Sequence, residues 1–220
     1  PSPFDEQCCI LNHVRRGVSR LSEHMRISKS APYTMRKRTE QVEETRRRIT
    51  EAAMDLHTSV GPANTTISAV ADLANVTRVT VYKHFPDEEA LFLACSSHWW
   101  SLHPSPDPKE WLEVDGLEAR TSHALSQLYP YYRANHSDMY PIMRDFEAMP
   151  SGFRAVMKQQ AVDMSTALIA GSGTRRRRRR RLMAVATHVT SFWAWWSLAV
   201  EGGLDDDEVA PIMVNLVLSV

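Results

Sequence analysis

The most constraining feature of this 220-residue chain is a pair of short helical segments between Thr66 and Phe85. Threonine precedes each segment, at Thr66 and at Thr77, where a side-chain hydroxyl can cap the first amide groups of a helix. The Ala-Asn-Val sequence of residues 74–76 separates the segments, and asparagine accepts the left-handed backbone angles of a tight turn. Two short helices joined by a three-residue turn are typical of a helix-turn-helix. The pattern predicts this motif.

Charge is distributed unevenly along the chain, although the formal net charge is zero. Residues 1–85 contain 13 Lys and Arg against 9 Asp and Glu, whereas the remainder contains 13 against 17. Seven of the later cations form one run, Arg175 to Arg181. A basic amino-terminal part before an acidic body is expected when only the first part contacts a polyanion. The charge distribution therefore favours DNA as the partner of the helix-turn-helix.

The rest of the chain predicts helices only. Hydrophobic residues make up 43% of the sequence and charged residues 24%, which is typical of a globular chain. No run alternates between apolar and polar residues as a strand would. Apolar residues at helical spacing, interrupted by Pro and Gly, predict helices over residues 39–60, 88–100, 117–134, 138–148, 151–170, 176–201 and 206–220. Residues 1–34 lack such a period and are expected to form a flexible amino-terminal extension.

The residues of the motif region resemble a known protein family. Residues 66–85 read T-x-x-x-V-A-x-x-A-N-V-T-x-x-T-V-Y-K-H-F, and P-D-E-E-A-L-F follows. This sequence resembles the DNA-binding domain of the tetracycline-repressor (TetR) family of bacterial regulators. The resemblance implies an all-α homodimer, with a helix-turn-helix domain at residues 35–85. It also implies a larger helical domain at residues 86–220 that binds an effector and dimerises through residues 176–220.

The resemblance also assigns contacts to individual residues. Thr66 and Thr77 correspond to helix caps that face phosphates, and Thr80 and Tyr82 to hydroxyl residues that contact the DNA backbone. Arg78 and Val79 occupy positions that read base edges, where Arg can bind guanine and Val can touch a thymine methyl group. The predicted DNA-binding residues are Thr66, Thr77, Arg78, Val79, Thr80, Tyr82 and Lys83.

One residue departs from the family pattern in a way that affects DNA binding. Glu88 stands where the family commonly has a lysine near the phosphates, and a carboxylate there repels DNA. The basic residues at 36–38 and 46–48 are open to two interpretations. They either compensate for Glu88 or form a solvated helix face.

Large apolar rings and thioethers are frequent after residue 95. Most are expected in the core, and some are expected to line a cavity for a hydrophobic or aromatic effector, because Met and aromatic side chains are typical of such pockets. The predicted ligand-binding residues are Trp99, Trp100, Trp111, Tyr132, Met143 and Phe146. The expected function is that of a ligand-responsive repressor which releases a palindromic double-stranded DNA operator when it binds a small-molecule effector.

Residues 182–200 carry no formal charge and follow the arginine run. Such a segment is compatible with a transmembrane helix, which would make the chain a membrane-tethered regulator, and also with a buried helix of a dimer bundle. Polar interruptions by Thr, Ser and His weaken the first interpretation. The resemblance places the segment in the dimerisation region, so no membrane contact is expected.

The remaining motifs argue against an enzyme and against export. The sequence contains no Gly-rich phosphate loop, His-Glu-x-x-His motif or Ser elbow, so no catalytic residue, metal site or cofactor is expected. Cys8, Cys9 and Cys95 have neither the spacing of a zinc site nor that of a disulfide framework. The first residues lack the apolar core of a secretory signal. A cytoplasmic location is expected.

Overall fold

The structure is a computed structural model that describes residues 31–172 and 175–220. Within these residues every regular element is a helix, which confirms the predicted all-α fold. The α-helices are α1 (Ala31–Ser59), α2 (Ile67–Leu73), α3 (Arg78–His84), α4 (Glu88–Leu102), α5 (Pro108–Trp111), α6 (Leu117–Arg144), α7 (Ser151–Leu168), α8 (Arg176–Val189), α9 (Phe192–Trp196) and α10 (Asp206–Leu218). Short 3-10 helices lie at Pro62–Asn64 and Phe146–Ala148, and a π-helical turn at Ser197–Glu201.

The described part of the chain divides into two units between Arg47 and Arg48. In the first unit the described residues form the amino-terminal part of α1, whose exposed face carries the ion pair Arg36–Glu40 at 2.9 Å. Such a pair at i and i+4 contributes roughly 0.2–0.5 kcal/mol to a helix. Because α1 begins at Ala31, the last residues of the predicted extension are helical, and the others lie outside the described residues. The predicted domain boundary between residues 85 and 86 stays a prediction.

In the second unit, the helix-turn-helix has its own core. Val70, Ala71 and Ala74 of the first helix and its turn, and Val81 of the second, are at most 4% exposed. They pack with Phe85 and with the part of α1 that starts at Ile49. The small alanines allow the helices to approach closely. Asn75 has a φ of 51°, in the left-handed region expected for the turn.

A larger core fills the second unit between α5 and α10 and contains two buried tyrosines. Tyr129 donates to the carbonyl of Val189 at 2.9 Å, and Tyr132 donates to that of Thr190 at 2.7 Å. Carbonyl groups at the end of a helix have no partner within the helix, so these phenols satisfy acceptors that would otherwise be buried without one. The two hydrogen bonds fix the end of α8 against α6.

Two predicted helix boundaries are wrong. Residues 117–134 and 138–148 were predicted as separate helices, but α6 is continuous through Pro130 and Pro141 to Arg144. Each proline removes one backbone hydrogen bond, but α6 packs against α7 and α10, and tertiary packing of this kind outweighs the local preference.

The predicted helix over residues 176–201 is interrupted at Thr190 and Ser191. The Thr190 hydroxyl donates to the carbonyl of Ala186 at 2.9 Å, and the extended Ser191 accepts from the amide of Ala194 at 3.2 Å. Local bonds of this kind compete with the helical ladder. Among the described residues, no helix is both long enough and apolar enough to cross a membrane.

Candidate nucleic-acid interface and effector cavity

Threonine caps begin both helices of the motif. The Oγ1 of Thr66 accepts from the amide of Ala69 at 3.1 Å, and the Oγ1 of Thr77 accepts from the amide of Thr80 at 3.2 Å. The hydroxyls of Thr77 and Thr80 also lie 3.0 Å apart and share a hydrogen bond. These bonds fix the first residue of each helix and therefore the orientation of α3. Both caps are accessible to solvent, as a contact with phosphate would require.

The second helix of the motif, α3, has one buried and one exposed face. Val81 is 1% exposed, whereas Val79 is 64% and Tyr82 44% exposed. Arg78 and Lys83 are also exposed, and Thr80 is half-buried. Residues three and four apart share a helix face, so these exposed side chains form one surface. The helix contains no Asp or Glu, so a phosphate backbone would meet no carboxylate on it.

Arg48 has a structural role that the sequence left open. Its Nε donates to the carbonyl of Ala74 at 3.2 Å, and its Nη2 donates to that of Asn75 at 3.0 Å. Both carbonyls lie where α2 ends, and a cation is favoured at the negative end of a helix dipole. Arg48 therefore stabilises the turn of the motif. Glu88 is exposed in the first turn of α4, so it does not enter the core.

The second unit encloses an apolar cavity of about 340 Å³. This volume is within the range of about 300–1,000 Å³ that small-molecule sites occupy. Its wall is built by α4, α6, α7 and the segment that joins α8 to α9. Five of the six predicted ligand-binding residues line it: Trp99, Trp100, Tyr132, Met143 and Phe146.

Trp111 differs from the other predicted cavity residues. It is fully buried in the large core, its Nε1 donates to Gln127 Oε1 at 2.8 Å, and it does not line the cavity. Sequence reasoning also missed part of the wall. Phe153, Met157, Ala161 and Met164 recur every three or four residues on α7, a spacing that could have shown one apolar face. Thr187 and residues 190–193 also line the cavity, and they belong to the uncharged segment over residues 182–200 that is compatible with a membrane helix or a buried bundle helix.

The comparison with known families decides the identity of this motif. Residues 49–95 match the family model described as bacterial regulatory proteins, tetR family. These residues form a DNA-binding domain of the TetR family. The matched residues include the whole helix-turn-helix and the first half of α4.

Solved structures share the fold of this chain. A candidate fatty acid metabolism regulator of Clostridium perfringens superposes with a TM-score of 0.57 at 15% identity, over 78% of this chain and 97% of that one. NalD of Pseudomonas aeruginosa, the secondary repressor of the MexAB-OprM multidrug efflux pump, gives a TM-score of 0.52 at 20% identity, over 80% and 96%. A search of curated proteins returned no match. At these identities the likeness concerns the fold.

Two connections in this chain link the motif to the cavity. The first is α4, which is capped by Asp87 and contributes Leu91 and Cys95 to the core of the motif. Near its carboxyl end, Trp99 and Trp100 line the cavity. The sequence indicates this connection, because the predicted helix runs from the motif to the aromatic residues.

The second connection is a contact between the end of α6 and the loop before the motif. Asp145 Oδ2 accepts from the amide of Ala63 at 3.1 Å, and Arg144 Nη2 donates to the carbonyl of Val60 at 2.9 Å. The Arg144 guanidinium lies 2.8 Å from Asp145 Oδ1 and holds the pKa of that carboxyl below its ordinary value. We name these four residues the α6–loop contact. The cavity residues Met143 and Phe146 flank it in the sequence.

Proposed function

We propose that this regulator is a repressor that binds a palindromic DNA operator as a homodimer and releases it on binding a hydrophobic or aromatic effector. The observation that supports this proposal is the pair of connections between cavity and motif. Both α4 and the end of α6 carry cavity residues and also contact the helix-turn-helix region. A ligand that shifts either element would change the spacing of two recognition helices, and operators require half-sites at fixed separations. The structural likeness to NalD, itself a repressor, supports the sign of regulation.

The exposed face of α3 provides a test of the DNA interface. Arg78→Ala is expected to remove about 1–3 kcal/mol of binding free energy at one base position of each half-site and to relax the sequence preference at that position. Tyr82→Phe is expected to weaken binding to all DNA sequences alike, because a hydroxyl bound to phosphate carries no sequence information. Fluorescence-anisotropy titrations with operator variants measure both effects. Lys109→Ala, a change of an exposed cation on α5, is the control. Wild-type affinity in both α3 variants would show that this face does not contact DNA.

The same titration tests the proposed homodimer through its stoichiometry. Ile212 and Leu216 are 48% and 39% exposed at i and i+4 on α10, and a second copy of this chain would cover them. Two chains per operator are expected. One chain per operator, with no dimer in sedimentation velocity, would contradict this part of the proposal.

Effector and operator are expected to antagonise each other reciprocally. The effector must bind the DNA-incompetent state more tightly, and allosteric couplings are typically about 1–3 kcal/mol, or roughly 5- to 150-fold in affinity. Because Trp99, Trp100 and Trp193 line the cavity, binding should quench tryptophan fluorescence. Titrations of free and operator-bound protein with one ligand measure the coupling. A ligand that displaces DNA and yet binds both forms with equal affinity would exclude this mechanism.

A further inference from the structure

The wall of the cavity carries a positive charge. Among the described residues that form its wall, Lys158 is the single cation, and none is Asp or Glu. The remainder of the wall is mainly aromatic rings, thioethers and aliphatic groups. The charge of Lys158 repels a cationic ligand, and no carboxylate of the described wall offsets this repulsion. The cavity can accept a neutral molecule or one with a single negative charge.

The position of Lys158 suggests which of these two is bound. Lys158 is exposed and also lines the cavity, so it lies where the cavity opens to solvent. Its Nζ is 5.7 Å from the ring centroid of Phe146, which belongs to the cavity wall. In the described part of the chain, no carboxylate lies within ion-pair distance of Lys158. Glu147, which is close in sequence to Phe146, is paired with Arg154. The ammonium is therefore available to a ligand.

Two hydroxyl groups of the cavity wall already donate to the backbone of the protein. The hydroxyl of Thr187 donates to the carbonyl of Met183 at 3.0 Å, and that of Ser191 donates to the carbonyl of His188 at 2.7 Å, so the helix carbonyls occupy these hydrogens. Burial raises the pKa of Tyr131, another wall residue, to about 12, and this location therefore disfavours a negative charge. An anionic group would be stabilised at the opening and an apolar body inside.

We propose that the effector is a hydrophobic monoanion of the carboxylate class, whose carboxylate binds Lys158 at the opening while its aromatic or aliphatic body fills the cavity. This inference rests on the proposed function of the cavity as an effector site. One lysine neutralises one charge, so a monoanion fits better than a phosphate dianion. Lys158 is then the residue that selects the head group of the ligand.

The test compares ligands that differ only in head-group charge. The probes are 2-naphthoate with 2-naphthamide and decanoate with decanamide, measured by tryptophan quenching and by release of the operator. Wild type is expected to bind each carboxylate more tightly than its amide by about three- to tenfold, as an ion pair at a partly exposed site allows. Higher salt should reduce this ratio, because salt screens exposed charges.

Variants of Lys158 show whether this side chain is responsible. Lys158→Met keeps the apolar stem and is expected to abolish the preference for carboxylate, whereas Lys158→Arg keeps the charge and should retain it. Lys109→Met, on α5 outside the cavity wall, should behave as wild type. Three outcomes would each overturn the head-group inference. The amides could bind the protein as tightly as the carboxylates do and release the operator equally well. Lys158→Met could keep the preference for carboxylate, or neither carboxylate could bind. Failure of the effector proposal itself would appear differently, as an operator that no probe, charged or neutral, releases.

Discussion

Gly61→Ala is expected to destabilise the protein by about 2–5 kcal/mol. Gly61 has φ 93° and ψ 158°, a conformation that essentially only glycine adopts and that costs other residues about 1–3 kcal/mol. A Cβ at this position would also overlap Asp145 Oδ2 and the guanidinium of Arg144. Because those side chains would have to move, the α6–loop contact would break and a further ~1–2 kcal/mol would be lost. Urea denaturation followed by tryptophan fluorescence measures the change.

Gly116→Ala is the matched control for this prediction. Gly116 has nearly the same backbone angles, φ 86° and ψ 143°, but beyond its chain neighbours no heavy atom lies within 4 Å of the position that a Cβ would take. Gly116→Ala should therefore lose only the stability that the strained backbone conformation costs. Gly61→Ala should also weaken the coupling between effector and operator, because the α6–loop contact joins the cavity to the motif, whereas Gly116→Ala should leave the coupling unchanged. Equal destabilisation by the two variants would show that the α6–loop contact contributes nothing.

Acid is expected to destabilise this protein through His57, by about 3 kcal/mol as the pH falls from 6.5 to 4. Burial lowers the pKa of His57 from 6.5 to about 4. Its Nδ1 lies 3.3 Å from Cys95 Sγ, and its ring centroid is 4.8 Å from that of Phe92. The unfolded chain therefore binds a proton in this range that the folded chain excludes, so stability falls as the pH falls. Each pKa unit corresponds to about 1.4 kcal/mol.

His57→Gln should remove this part of the acid dependence. Free energies of unfolding measured at several values between about pH 7 and 4.5 should change less in this variant than in wild type. His123→Gln, a half-buried histidine on α6, is the control. Asp145 does not interfere, because its lowered pKa places its titration below 3.8, where its stabilising contribution is lost as the pH falls further. An acid dependence in His57→Gln equal to that of wild type would contradict the assignment to His57.

The DNA-binding motif could be predicted because its determinants are local. Thr66 and Thr77 cap helices through bonds that span three residues, and Asn75 sets its own backbone angle. The burial of Val81 follows from helical periodicity, so the exposed face of α3 could be identified as well. The role of Arg48 could not be predicted, since the carbonyl it binds at Ala74 is 26 residues away.

The cavity could be predicted only as a tendency of composition. Aromatic and Met residues after residue 95 predicted its character, and five of six chosen residues line it. Trp111 shows the limit, because an apolar side chain gives the same sequence signal whether it faces a core or a cavity. No pattern in the sequence predicts the α6–loop contact. An Arg-Asp pair at 144–145 is ordinary in a helix end until the fold brings Val60 and Ala63 to it.

The sequence by itself determined the helical composition, the capped motif and the exposed residues of α3, because each depends on interactions over one or two turns. The tertiary structure alone decided that α6 continues through two prolines and that Lys158 stands at the opening of a cavity whose other described wall residues are uncharged. The physical reason is the distance along the chain between the residues that interact. These features depend on packing between elements far apart in the chain, and such packing can outweigh local preferences of about 1–3 kcal/mol.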